Sequence, residues 1–571
     1  MTTGAESERA QFFAQYALAF DLLVDWCGRD QKPWEALQYA EASRNRTFLD
    51  QVRAAGIDFG ESLRGGKNEH LLDQRRNARC RYAAACTRAA LATAQTDLRE
   101  TERLAQHVLD CQDELWELEK EIRDKSPLYR EVLSEDEPLP KIEELRRIAR
   151  PGELILLYHL GARRSHLFML SGGDESPLAL RLATDPDGVG APGIPPAPLG
   201  RETLDAWVQR YLTVLQTPPD VAGESRGPGE QVVTSEKNDM AAQARRLTDI
   251  LLPPAIRERL TQHPRPQRLI VIPDGALHQL PFEALVWPAD DVEPSYVLDH
   301  APPIAYAPSL QIMAVLRKRD TVKAAERSLL TVGMTTFSAH HAAAQTSVLR
   351  PPRTAVAGLG ASLRPLPATR DECRAAAEAC RRADFARINH LLDTEATEHR
   401  VRDLLEQTSI LHFATHAWVD PQRDNCFGAL ALTPPGRDGA AKAGDDGLLE
   451  HHEIHGLSLT RCELAVLSAC RTNIGPNRPL EASSTLTRAF LAAGARRVVC
   501  SLWGLHDDAA SLFVAEFFGC LETAWKSRQP VGYAAALRDA RNCVRRDPRF
   551  EAPYYWAPLV LIGPADEIQP Q

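Results

Sequence analysis

The sequence predicts an α/β protein, a mostly parallel sheet covered by helices on both faces and preceded by an all-α region. Three observations predict it. From about residue 8 to 130 apolar side chains recur at three and four positions, as in Leu91, Ala94, Leu98, Leu104, Val108, Leu115 and Leu118, and almost no Gly or Pro interrupts the pattern after Gly66. At Pro151 the character changes, and short continuous apolar runs alternate with helical stretches up to the C-terminus. Runs without polar alternation are what strands buried on both faces require. The chain's 571 residues also exceed one ordinary core, so two or three packed units are expected.

In chain order, residues 34–52 (WEALQYAEASRNRTFLDQV) carry Ala36, Leu37, Ala40, Ala42 and Phe48 at helical spacing and look like the closing helix of a tetratricopeptide-type repeat. No second copy lies about 34 residues away, so a self-standing repeat array is not predicted. Residues 67–128 read as a long helical hairpin with paired charges on its outer face, and both pieces read as a cap on the next domain. The helical region is placed at 1–135 and the α/β unit at 140–565, divided into halves at 140–335 and 336–565. Strand and turn signals are ELILLY (153–158) and SHLFMLS (165–171), then RLIVIP (268–273), SLLTVG (328–333), SILHFAT (409–415), ELAVLSA (463–469) and RRVVCSL (496–502). Helices are predicted near 204–215, 238–261, 370–383, 395–406, 483–493, 507–523 and 531–545. Segments 185–200, 217–229, 338–367 and 434–447 are rich in Pro, Gly or Asp, or lack any period, and read as surface loops.

Composition excludes several classes. With 44% hydrophobic and 25% charged residues the chain is a folded globular one. Lys plus Arg number 67 against 77 Asp plus Glu, a net charge of −10 that repels phosphate backbones, so direct nucleic-acid binding is not expected. No apolar run approaches the roughly 18 residues of a membrane span. The start, MTTGAESERAQFF, has no basic region feeding an apolar stretch, and a cytoplasmic location is expected. The twelve cysteines form no C-x-x-C pair and no zinc spacing, so neither a metal nor another cofactor is predicted.

Two strand ends carry chemistry. One apolar run ends Leu411-His412-Phe413-Ala414-Thr415-His416-Ala417, and another ends Leu467-Ser468-Ala469-Cys470-Arg471. Reacting groups in open parallel sheets collect beyond the carboxyl ends of the strands. A free thiol is mostly protonated at neutral pH, and a neighbouring imidazole lowers its pKa or removes the proton during attack. His416 and Cys470 are therefore a candidate dyad for acyl transfer, with the backbone amides of Ala417 and Cys470 as candidate oxyanion donors. Taken alone, a strand-end Cys or His is also a common packing residue.

HFATHA, then ELAVLSACRT, then SSTLTRAFLAAGARRVVCSLWGLHDDAA resemble the CHAT domain, a caspase-like, separase-related peptidase domain often attached to tetratricopeptide repeats in bacteria. RLIVIPDGALHQLPFEAL, IAYAPSLQIM, LPATRDECRAA and DDGLLEHHEIHGLSL resemble family segments in the expected order. The resemblance implies a caspase-like fold and a cysteine endopeptidase with Cys470 as nucleophile and His416 as base and acid. His412 reads as a packed or hydrogen-bonded support. Ser501, Leu502 and Trp503 resemble the loop lining the substrate cleft, so Ser501 and Trp503 are substrate-binding candidates, with Trp503 equally readable as an aromatic closing the sheet. Asp507 either caps the helix it begins or points into the cleft and selects a basic residue. By the same resemblance, a protein partner or sensor complex switches the enzyme on, in some relatives in antiphage defence.

Three departures stand out. Ala417 replaces the family's glycine, Arg471 replaces an acid, and Thr472-Asn473-Ile474 delays the expected glycine. They keep open a second reading, a catalytically silent scaffold for protein interactions; a third, a small-amide hydrolase, fits the later blocks less well.

Overall fold

The computed structural model describes residues 17–44, 63–91, 98–125, 139–183, 197–219, 244–288, 295–319, 326–337, 365–419, 428–433, 445–469, 485–527 and 530–565. In chain order the strands are β1 Glu153–Leu160, β2 Ser165–Ser171, β3 Leu178–Arg181, β4 Arg268–Ile272, β5 Ile304–Tyr306, β6 Ser328–Gly333 and β7 Arg387–Leu392. They continue as β8 Ile410–Ala414, β9 Ala417–Trp418, β10 Ala429–Ala431, β11 Leu448–Glu450, β12 Leu464–Ser468, β13 Val498–Ser501 and β14 Leu559–Ile562.

Eleven of them make one sheet in the order β3-β2-β1-β4-β5-β14-β13-β12-β8-β6-β7. β1, β4, β5 and β14 run parallel to one another. β13, β12, β8, β6 and β7 form a second parallel block. The blocks meet antiparallel at β13 and β14. This seam does not coincide with a division at residue 335: β6 lies inside the second block, and β14, the last strand in sequence, joins the first.

β1 shows why the strands carry unbroken apolar runs. Leu154, Leu156 and Tyr158 enter the main core, while Ile155 and Leu157 enter a second cluster on the opposite face. That second face is covered by the helices Ala17–Arg29 and Pro33–Ala42 through Val24, Trp34, Leu37 and Ala40. Two buried charges fix this cover. Glu41 accepts from the backbone N–H groups of Leu310 (3.2 Å) and Gln311 (2.9 Å) at the start of helix Leu310–Lys318, where a carboxylate suits the helix dipole. Arg44 donates through Nη2 to the Tyr158 carbonyl at 2.6 Å.

In the second block, helix Thr369–Arg382 lies on β6, β7 and β8 through Cys373, Ala376, Ala377 and Cys380, while helix Leu486–Ala493 lies on the other face, with Phe490 against Phe413. Thr485 caps this helix, its hydroxyl accepting from the Arg488 N–H, and Gly494 ends it at φ 128°. A small second sheet, β9-β10-β11, begins just after His416. The long hairpin of His70–Leu91 and Leu98–Lys125 packs on it.

The helix predicted over 238–261 breaks at Pro253-Pro254: residues 244–251 are helical, and a new helix begins at Pro254, because an interior proline removes a ladder donor and clashes with the preceding turn. The strands β3, β5, β7, β9, β10, β11 and β14 have no counterpart among the predicted elements. The four predicted loops fall mostly outside the described residues. Among the described residues no helix is long and apolar enough to cross a membrane.

A buried acidic group joins the small sheet to the second block. Glu398 Oε2 accepts from the N–H groups of Asp446 (2.9 Å) and Gly447 (3.3 Å), and Arg402 reaches both Glu398 (3.3 Å) and Glu453 (2.6 Å). Burial, together with the like charges of Glu453 and Asp446, pushes Glu398 up to about 10. Burial also holds Asp446 and Glu450 well above the ordinary carboxylate range.

This packing makes two outcomes measurable. A Cβ on Gly333 would lie 2.7 Å from the Cys373 sulfur and 2.8 Å from Leu392 and Thr369 side-chain carbons, so Gly333→Ala should cost about 1–3 kcal/mol of overpacking, read as a lower denaturant midpoint. Carboxyls raised in the folded state bind protons more tightly there than in the unfolded chain, so stability falls as pH rises from the unfolded value of about 4.3 towards the folded one. The thermal midpoint should drop between about pH 5.5 and about pH 8.5, and Glu398→Gln, which keeps an acceptor for the two N–H groups, should reduce that drop.

Candidate active site

The site is built on the pairing of β8 with β12. The parallel register sets Ile410 opposite Leu464 and Ala414 opposite Ser468, so the two strands end level. One chain continues through Thr415 to His416, the other through Ala469 to Cys470. Cys470, Arg471 and residues 472–475 lie outside the described residues.

Thr415, through its side chain, and His416, through its backbone carbonyl, are both fastened to one residue of β10. The Thr415 hydroxyl donates to the Ala431 carbonyl at 2.7 Å, and the Ala431 N–H donates to the His416 carbonyl at 2.9 Å. That second bond makes Ala417 and Leu430, which face each other in the register, a non-hydrogen-bonded pair. The Ala417 N–H is therefore directed away from β10. Ala417 is also absent from the described residues with positive φ, so the methyl group in place of the family's glycine adds no backbone strain. The half-buried His416 ring lies 4.4 Å from the Phe337 ring, centroid to centroid, at 56°. Phe337 lies two residues after Thr335, whose N–H and hydroxyl both donate to Asp393 at 2.8 Å.

His412 lies on the face of β8 opposite Phe413. It is fully buried, with Nε2 2.9 Å from Glu372 Oε1 and Nδ1 2.8 Å from the Thr331 hydroxyl, and its ring meets Phe518 edge-on. It ties β8 to β6 and to helix Thr369–Arg382, the supporting position read for it from sequence.

The other site candidates lie around β13. Ser501 is fully buried at the end of that strand, and its hydroxyl donates to the Ala469 carbonyl, next to Cys470 in the chain. Trp503 is 2% exposed and donates its indole N–H to the Tyr554 carbonyl at 3.0 Å, so the indole closes the sheet and offers a substrate no open face. Asp507 begins helix Asp507–Ser527, and its Oδ2 accepts from the Ala368 N–H at 2.9 Å, capping the neighbouring helix Thr369–Arg382. Burial raises the Asp507 carboxyl, against the Ala368 bond, which favours its charge. Phe337, Ala431 and Asp393 carry no sequence signal, because each matters through a partner distant in the chain.

The buried thiols near the sheet are held in the protonated form. Burial drives Cys373, Cys380 and Cys462 far up and Cys500 up to about 12. Among the described residues no group of three or more His, Cys, Asp or Glu side chains is set to hold a metal.

Comparison with known proteins gives this arrangement a family. Tetratricopeptide repeat protein 28 of Homo sapiens is 29% identical over 203 residues, covering 30% of this chain and 8% of its own length, and the Mus musculus protein matches to the same extent. The chain thus spans less than a tenth of the curated relatives it matches. Among solved structures, the Arg-specific cysteine proteinase gingipain R aligns with 55% of this chain and 66% of its own at 7% identity and a TM-score of 0.36. The Saccharomyces cerevisiae separase-securin complex aligns with 82% of this chain and 34% of its own at 9% identity and a TM-score of 0.44. The CHAT domain family model matches residues 241–564, a span that takes in β4 to β14 and both strand ends of the candidate site. Since that match covers more than half of the sequence, the chain belongs to the CHAT domain family.

Proposed function

We propose that this protein is a regulated cysteine endopeptidase acting on one or a few protein substrates, with Cys470 as nucleophile and His416 as general base and acid. The observation that carries the reading is the level ending of β8 and β12, with His416 and Cys470 each two residues beyond a paired position. In the reaction, the imidazole takes the thiol proton as sulfur attacks the scissile carbonyl carbon, and the carbonyl electron pair moves to oxygen. Collapse of that oxyanion breaks the C–N bond, and the imidazolium protonates the departing amine. Water, deprotonated by the same imidazole, then hydrolyses the thioester and restores the thiol. No cofactor enters.

The Ala417 N–H, directed away from β10, supports its role as an oxyanion donor. The bond from Ser501 to Ala469 supports the other donor. It holds the carbonyl of the last described residue before Cys470, the residue proposed to supply that donor. Ser501 is therefore proposed as a positioning residue and Trp503 as a wall behind it, while Asp507, half-exposed at a helix start, is proposed to set charge preference. Control by a partner protein and the antiphage setting rest on the family resemblance, and a cytoplasmic location is proposed alongside them.

The dyad is tested by the rate at which iodoacetamide alkylates Cys470 near neutral pH, mapped by mass spectrometry. His416→Ala should slow it at least about tenfold, and equal rates in the two proteins would remove His416 from the mechanism. With a cleaved partner protein in hand, Ser501→Ala should lower kcat about tenfold or more with KM little changed, as loss of an aligned oxyanion donor does, and Cys470→Ala should abolish cleavage. Cleavage that survives Cys470→Ala would sink the peptidase assignment.

A further inference from the structure

The proposed base is steadied from outside the main sheet. We propose that the helical hairpin His70–Leu91 and Leu98–Lys125 is the positioning element for His416, so that a partner which shifts the hairpin alters the site. The inference rests on His416 being the base, and three contacts carry it.

The first runs through β10. Tyr82, Cys111 and Leu115 of the hairpin form one buried cluster with Ala429, Ala431 and Leu448 of the small sheet. Ala431, fully buried in that cluster, is the residue whose N–H and carbonyl hold His416 and Thr415. The second runs through Phe337, which packs against both this cluster and the main core and lies 4.4 Å from the His416 ring. The third runs through β11. The Tyr82 hydroxyl donates to Glu450 Oε1 at 2.8 Å and accepts from Gln112 Nε2 at 3.2 Å, and Glu450 stands opposite Ala429 in the register.

The energetics favour dependence of the sheet on the hairpin. β9 has two residues and β10 and β11 have three each, and a sheet that short does not hold itself in water. Leu430 and Leu449 pack into the main core, and the face with Ala429, Ala431 and Leu448 is covered by the hairpin.

The test is amide hydrogen exchange of the full chain, with Leu115→Ala to open the cluster, Tyr82→Phe to remove one hydrogen bond with little loss of packing, and Trp34→Ala as a control on the other helix pair. Peptides spanning 410–419 and 428–433 should exchange at least about tenfold faster in Leu115→Ala and a few-fold faster in Tyr82→Phe, with β1 and β4 unchanged. Trp34→Ala should leave both peptides at wild-type protection. The proposal is overturned if the hairpin peptides accelerate while 410–419 and 428–433 keep their protection. It is equally overturned if both hairpin variants accelerate exchange uniformly through β1 and β4. Exchange reads local opening and not turnover, so an unreactive Cys470 would count against the peptidase reading alone.

Discussion

The constraint on which the site depends is the register between β8 and β12. Side chains alternate faces along a strand, so a slip of one residue would turn every one of them to the wrong side. Here one face of β8 presents Phe413 to Phe490 and the other presents His412 to Glu372 and Phe518. A slip would drive a polar imidazole into an apolar contact and leave Glu372 buried without its partner, a cost of several kcal/mol, as for any uncompensated buried charge. Hydroxyls fasten both ends of the block. Ser409 accepts from the Ser328 N–H and donates to its carbonyl at the start of β8 and β6, and Ser501 holds Ala469 at the far end. The level strand ends are thus a consequence of packing choices made along the whole ladder.

Legibility in the sequence divides along the same line. β1, β4, β6, β8, β12 and β13 are written as continuous apolar runs because both of their faces are covered, and that information is local. β5, with three residues, and β14, four residues enclosed by Pro558 and Gly563, owe their existence to neighbours far away in sequence. β7 is an edge strand with exposed and half-buried residues, so its RINHLL lacks the apolar signature altogether. At the site, the ends of β8 and β12 were readable because His416 and Cys470, chemistry-bearing residues, interrupt the apolar runs in the sequence. Trp503 was not resolvable from sequence, since a buried indole and a substrate-facing one have the same letter; the bond to Tyr554, 51 residues on, decides its environment. The hairpin was readable as a helix pair, but its charged spacing says nothing of which apolar residues meet Ala431.

The physical asymmetry between the two residues of the proposed dyad lies in the structure that supports each. Cys470 comes just after a strand in the middle of an eleven-stranded sheet, between β8 and β13, and the carbonyl before it is held by a fully buried serine. His416 leaves the equally buried β8 but enters a two-residue strand whose partner β10 packs on helices that begin more than three hundred residues earlier. Local stability in a protein ranges from the global value in core strands down to almost nothing in small peripheral units. The end of β12 belongs to the first kind of structure, whereas the sheet that His416 enters is a unit of two- and three-residue strands. The small sheet is held by the hairpin, by Leu430 and Leu449 in the main core and by the Glu398 bonds to Asp446 and Gly447, so the position of His416 answers to all three.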